Sequence, residues 1–137
     1  MTAGGARRDP RQRLGREGEA AAEELLRRSG LVVLERRYRC RHGEIDLVAR
    51  VGELIVFIEV KTRRGPSYGM PAESVTRPKR RRMAWVALDF LTRRGLLDNP
   101  SRFDVVEVLA GPGERRDLRH IPDAFRLDRA ERGCRRL

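Results

Sequence analysis

The 137-residue chain is poor in several residue types, and each shortage excludes something. Cys40 and Cys134 are its only cysteines and lie far apart, so neither a disulfide framework nor a cysteine zinc cluster is expected. There is no apolar run of membrane-spanning length, so no transmembrane helix is expected. The start, MTAGGARRDPRQR, carries charge without a following apolar stretch, which does not read as a secretory signal. A reducing, cytoplasmic setting is therefore the expectation. Lysine is the least obvious shortage: of 31 basic residues only Lys61 and Lys79 are lysine. Arginine and lysine differ in shape, hydration and ease of deprotonation, so a chain that keeps lysine at two places suggests a compact ammonium there, above all at Lys61.

What the chain has in excess is positive charge. Against 20 acidic residues it carries a net charge of +11 and a sequence pI near 11.2. So basic a small domain points to a polyanionic partner, with nucleic acid ahead of a membrane surface. Apolar residues fall in periodic blocks, and the length suits one core. We read a basic arm over residues 1–10, a single domain over 11–127 and a charged tail over 128–137.

The stretch from Gly43 to Arg63 organises the rest. Glu44 to Ala49 alternates, placing Glu44, Asp46 and Val48 on one face and Ile45, Leu47 and Ala49 on the other. After a turn at Val51-Gly52, Leu54 to Lys61 is apolar on both faces, as in the middle of a covered sheet, and then ends in Glu59-Val60-Lys61. Glu59 and Lys61 point to one side. Charges in such a place must be paired or hold a metal.

Around this core, Gln12 to Ser29 is a predicted helix with Leu14, Gly18, Ala21, Ala22, Leu25 and Leu26 as its apolar stripe. Glu17 and Glu19 lie at the stripe's edges, and periodicity leaves open whether either reaches a site or stays solvated. Leu31 to Tyr38 is a predicted strand, and Arg39 to Gly43 a basic turn. Cys40 and His42 there lack a second pair of ligands, but His42 is a candidate substrate contact. Residues 62–78 read as a long loop, with Tyr68 placed either to stack on a base or to cover the core. Ser74 or Thr76 can cap a second helix, Pro78 to Arg94, whose stripe is Met83, Ala84, Ala87, Leu88 and Leu91, widened by Val86 and Phe90. Its first turn carries Lys79, Arg80, Arg81 and Arg82. Cations there oppose the helix dipole, so these residues, with Arg63 and Arg64, are the expected contacts to a phosphate backbone. Arg102 to Ala110 is a further strand, and Leu118 onward a short edge strand ending at Pro122. The order αβββαβ predicts a mixed sheet flanked by helices.

Asp46 and Glu59 are hard oxygen ligands suited to Mg2+ or Mn2+. Lys61 is placed to orient or deprotonate a water, or to stabilise charge on a phosphate. Beside two carboxylates it is expected to favour its charged form. The spacing D-x(12)-E-x-K is the pattern of the PD-(D/E)XK nucleases. The strings G-x-x-G-E at Gly15 to Glu19, R-x-G-E-I-D-L-V-A at Arg41 to Ala49, and V-F-I-E-V-K-T-R at Val56 to Arg63 extend the likeness. So do G-M-P-A-E-S-V from Gly69, Lys79, R-F-D-V-V from Arg102 and H-I-P-D-A-F from His120. Over about residues 13–126 the chain resembles the YraN family, which is itself similar to the Holliday junction resolvases in its fold core. The resemblance implies a restriction-endonuclease-like α/β/α fold, Glu19, Asp46 and Glu59 as metal ligands, and Asp46, Glu59 and Lys61 as catalytic residues. It further implies a Mg2+- or Mn2+-dependent endonuclease acting on DNA, with branched or damaged DNA as candidate substrates and a homodimer if the resolvase analogy extends so far. A non-catalytic nucleic-acid-binding protein of the same fold is the second reading. A basic docking face for an acidic protein is the third.

Overall fold

The computed structural model describes residues 10–64, 76–111 and 116–125, with side chains from residue 15 and without that of Arg64. The basic arm before Pro10, the C-terminal tail, Tyr68, Ser74 and Cys134 lie outside these residues. Seven elements follow in order: α1 (Pro10–Arg28), β1 (Val32–Cys40), β2 (Gly43–Val51), β3 (Leu54–Arg64), α2 (Arg77–Arg94), β4 (Ser101–Ala110) and β5 (Arg116–Phe125). The five strands form one sheet in chain order, antiparallel except for the parallel pair β3–β4, which α2 connects. Among the described residues no helix is long and apolar enough to cross a membrane.

The sheet is covered on both faces, as the two-sided apolar run in β3 requires. One face meets α1 through Ala22, Leu26, Leu47, Ala49, Val56, Ile58, Val106 and Val108, all aliphatic. The other meets α2 through Met83, Val86 and Phe90 and holds all four phenylalanines. There Phe57 lies 5.9 Å from Phe90 and 5.6 Å from Phe103, which stacks on Phe125 at 4.8 Å. The result is a mixed three-layer α/β/α domain with a nuclease-like core.

Four local departures from the sequence reading have physical causes. The strand β3 runs on to Arg64, because β4 pairs with it as far as Arg64↔Ala110 and supplies partners for residues expected to be loop. The basic turn shrinks to Arg41-His42, since Cys40 pairs with Gly43. The edge strand β5 passes through Pro122 to Phe125. Buried Asp104 accepts the backbone N–H of Asp123 at 2.9 Å, together with Arg102 at 2.9 and 3.1 Å and a 2.7 Å hydrogen bond with His120 Nε2. This network ties the edge past a residue that can donate no ladder bond, and proline is tolerated only at such an edge.

The fourth departure is at Asp46. Strict alternation would put Ile45 and Leu47 on one face, yet Ile45 and Val48 pack on the α2 side while Leu47 and Ala49 pack on the α1 side. The changeover falls at Asp46. On the facing strand, Arg37, between partners Arg36↔Leu47 and Tyr38↔Ile45, has φ 50°. A local irregularity of this kind re-aims a side chain, and such irregularities gather at functional sites.

Candidate active site

The paired part of β2 and β3 stops at Leu47↔Ile58. Just beyond it the Val60 N–H donates to Asp46 Oδ2 at 2.7 Å, so a carboxylate replaces the backbone carbonyl as the next acceptor. Glu59 follows Ile58 on β3 and is 8% exposed. Alternation from Ile55 and Phe57 carries Glu59 to the α2 side, where the first turn of α2 meets it. Thr76 caps that turn, accepting from Lys79 N at 3.4 Å, with Pro78 in the opening positions. Lys79 Nζ then donates to Glu59 Oε1 at 2.6 Å, and Lys61 Nζ lies 3.6 Å from the same oxygen. The two lysines of the chain therefore converge on one glutamate. Lys79, singled out in the sequence as a phosphate contact, is part of this cluster. The cation opposing the helix dipole is compensated from within, by Glu59.

The charges shape one another strongly. Burial, then the Glu59 charge, raises the Asp46 pKa to about 7; the Val60 hydrogen bond opposes this, and Glu19 and Glu44 add smaller repulsions. Lys79 is disfavoured as a cation by burial, but the Glu59 hydrogen bond helps to hold its pKa above the ordinary lysine value. Lys61 moves the other way. Burial first, then the neighbouring Lys79, lowers its pKa despite Glu59. The pull of the carboxylates was legible in the sequence; the second ammonium and the desolvation that oppose it were not.

The other residues singled out divide. Glu19 is held by Arg37 Nε at 2.9 Å and is close enough to act on Asp46 electrostatically, but it does not join Glu59's lysines. Among the described residues no three His, Cys, Asp or Glu side chains are grouped to hold a metal. Asp46 and Glu59 nonetheless fit a hard divalent cation in donor type. They are two oxygen donors near a sheet end, one of them desolvated and repelled by the other, a repulsion that added positive charge would relieve. Arg80 lies over the Phe125 ring at 5.4 Å, and Arg81 and Arg82 are exposed. Gly18 is buried, and a Cβ there would overlap Thr62 Oγ1, so α1 lies close against β3 at this point.

Glu107 went unnoticed in the sequence. On β4 it pairs with Lys61 and is 2% exposed; its Oε1 finds no hydrogen-bond partner among the described residues, with Arg63 Nε 3.5 Å away. Its shared alternation with Phe103 and Val105 was a usable signal, but the parallel pairing that brings it beside Lys61 was not.

A model built from one protein family's sequences matches residues 18–108, a span that holds every residue of this cluster. The chain belongs to the uncharacterised protein family UPF0102. A UPF0102 protein of Symbiobacterium thermophilum is 51% identical over 114 residues, covering 83% of this chain and 97% of the relative. One from Rhodococcus jostii is 44% identical over 112 residues (82% and 95%), and one from Geotalea uraniireducens 46% over 114 residues (83% and 90%).

In this UPF0102 chain Arg63 has a structural partner as well as a basic surface position. Arg63→Ala is expected to leave the Glu107 carboxylate buried without its cation and to cost about 2–3 kcal/mol. A melting curve checks this: Arg81→Ala, at an exposed position, should melt like the wild type.

Proposed function

We propose that this UPF0102 protein is a metal-dependent endonuclease acting on DNA, with Asp46, Glu59 and Lys61 as its working residues. The observation that carries the proposal is the convergence of a desolvated carboxylate, a second buried carboxylate and a lysine of lowered pKa at the end of adjacent strands of a strongly basic domain. Perturbed groups gathered in this way are a signature of a reacting centre rather than of a solvated surface.

Asp46 and Glu59 would hold Mg2+ or Mn2+, which when bound supplies electrostatic stabilisation of a phosphoryl group under attack. The chain's own part is positional and acid–base. Val60 N–H fixes the Asp46 carboxylate, so its free oxygen has a defined direction. Lys79 orients Glu59, leaving Lys61 the looser partner at 3.6 Å. Lys61, with its pKa lowered by burial and by Lys79, is better suited than an ordinary lysine to take a proton from an attacking water. Arg81 and Arg82 supply phosphate contacts beside the site.

Purified protein given Mg2+ or Mn2+ should cleave at least one of duplex, single-stranded and four-way junction DNA, and Asp46→Ala should not. Absence of cleavage on all three sinks the proposal, and equal cleavage by the variant assigns it to a contaminant. Because a metal must displace the Asp46 proton, Mn2+ affinity measured by calorimetry should rise with pH up to about 7 and flatten above it. The alternative is a nucleic-acid-binding protein without catalysis. Salt-sensitive DNA binding with no metal uptake would favour it.

A further inference from the structure

Trp85, the only tryptophan, is not accounted for by packing. It belongs to neither hydrophobic cluster, although its helix neighbours Ala84, Val86 and Ala87 all pack in the core. Its indole lies instead against the His42 ring, with centroids 5.3 Å apart and planes 23° from parallel. Both side chains are only partly buried. The turn that carries His42 does not need this contact to close, because Cys40↔Gly43 already fixes it as a two-residue hairpin.

The surroundings of the stack are cationic. Arg41 is exposed, with its Nε 3.4 Å from His42 Nε2. Arg81 and Arg82 are exposed and stand four and three residues before Trp85, on the same side of α2. Both elements of the stack also run on to residues of the candidate active site. His42 is four residues before Asp46, a rise of about 13 Å along an extended strand. Trp85 is six residues after Lys79, about 9 Å along the helix.

We propose that the Trp85–His42 stack is a platform for an unpaired nucleobase, with Arg41, Arg81 and Arg82 taking the phosphates of the same strand. Every base has a π-face, and an aromatic side chain can reach that face only when the base is not paired inside a duplex. The surface therefore selects single-stranded DNA, or a flap, gap or junction arm that exposes a base near the cleavage point, over an uninterrupted duplex. This deepens the nuclease reading and rests on it for the choice of nucleic acid as partner.

Binding can be tested without cleavage. In EDTA, with Trp85 as the only indole, a 12-nucleotide oligothymidine should quench its fluorescence to saturation. An abasic deoxyribose-phosphate oligomer of equal length should bind through its phosphates and leave the fluorescence unchanged. By anisotropy of a labelled strand, Trp85→Ala should weaken oligothymidine binding about tenfold, the worth of one stacked base, with duplex binding within twofold of wild type. His42→Ala, on an exposed hairpin, should weaken it several-fold and guards against a folding defect in the first variant. Equal quenching by the abasic oligomer, binding without quenching, or unchanged affinity in both variants overturns the platform. Quenching by oligothymidine in a protein that cuts nothing with metal would sustain the platform and end the nuclease reading. Failure to bind any nucleic acid would end both.

Discussion

Asp46→Asn should melt higher than the wild type at pH 8 in metal-free buffer, and cleave DNA at least about a thousandfold more slowly. The two effects have one cause. A half-buried, desolvated carboxylate beside Glu59 has its folded-state pKa near 7, above its ordinary 3.8, so folding favours the protonated form. The stability that protonated Asp46 contributes is fully present below about pH 4 and is lost as the pH rises through 7. At pH 8 the wild type carries that strain in full and the amide does not. The gain is on the order of 4 kcal/mol, or roughly 15 °C for a domain of this size. It should shrink toward zero at pH 4. Asparagine can still accept the Val60 N–H, so the fold keeps its hydrogen bond, while the charge that a cation needs is gone. Melting curves of both proteins from pH 4 to 8 read the first effect. A wild type that melts as high as the variant at pH 8 would show that Asp46 carries no such strain.

Lys79→Ala and Lys61→Ala should fail differently. Lys79 makes the short bond to Glu59, a carboxylate 8% exposed, and its removal leaves that charge to a partner 3.6 Å away. Breaking a buried pair costs about 3 kcal/mol, so Lys79→Ala should melt some 10 °C lower, whatever it does to cleavage. Lys61 is already disfavoured as a cation by burial and by Lys79. Removing it should therefore change the melting temperature by no more than a few degrees while cleavage falls at least about a hundredfold, the share of a general base. If Lys61→Ala were the less stable of the two, the division of labour between the lysines would be wrong.

The strand–turn–strand frame, both helices and the β4 strand were legible in the sequence because each rests on a local period or a local stop. Thr76 and the stripes of α1 and α2 belong to this class. The Asp46–Glu59–Lys61 set was legible for a related reason, since charges ending a two-sided apolar run are anomalous wherever the run folds. What escaped were features that depend on contacts between distant segments. Lys79 looked like one cation in a basic first turn, and only the passage of α2 over β3 sets it on Glu59. Glu107 meets Lys61 through a parallel pairing that no local pattern announces. Likewise the changeover at Asp46 needs the positive φ of Arg37 on the neighbouring strand. The lysine count marked Lys61, and the same arithmetic applied to Lys79.

The joint placement also changes how the basic surface is understood. Lys79 and Arg63 each face a buried carboxylate, and Arg80 covers Phe125. Among the arginines of that first turn, Arg81 and Arg82, near Trp85 in sequence, are the ones left exposed.

The most direct test of the account is cleavage by wild type and Lys61→Ala side by side, at equal concentration with Mn2+, on labelled junction, single-stranded and duplex DNA. The account predicts cutting by the wild type on at least one substrate that exposes unpaired bases. Lys61→Ala should be at least about a hundredfold slower while keeping a melting temperature within a few degrees of the wild type and its metal-free DNA affinity. A wild type that cuts none of them, or a Lys61→Ala protein that cuts equally fast, would contradict it.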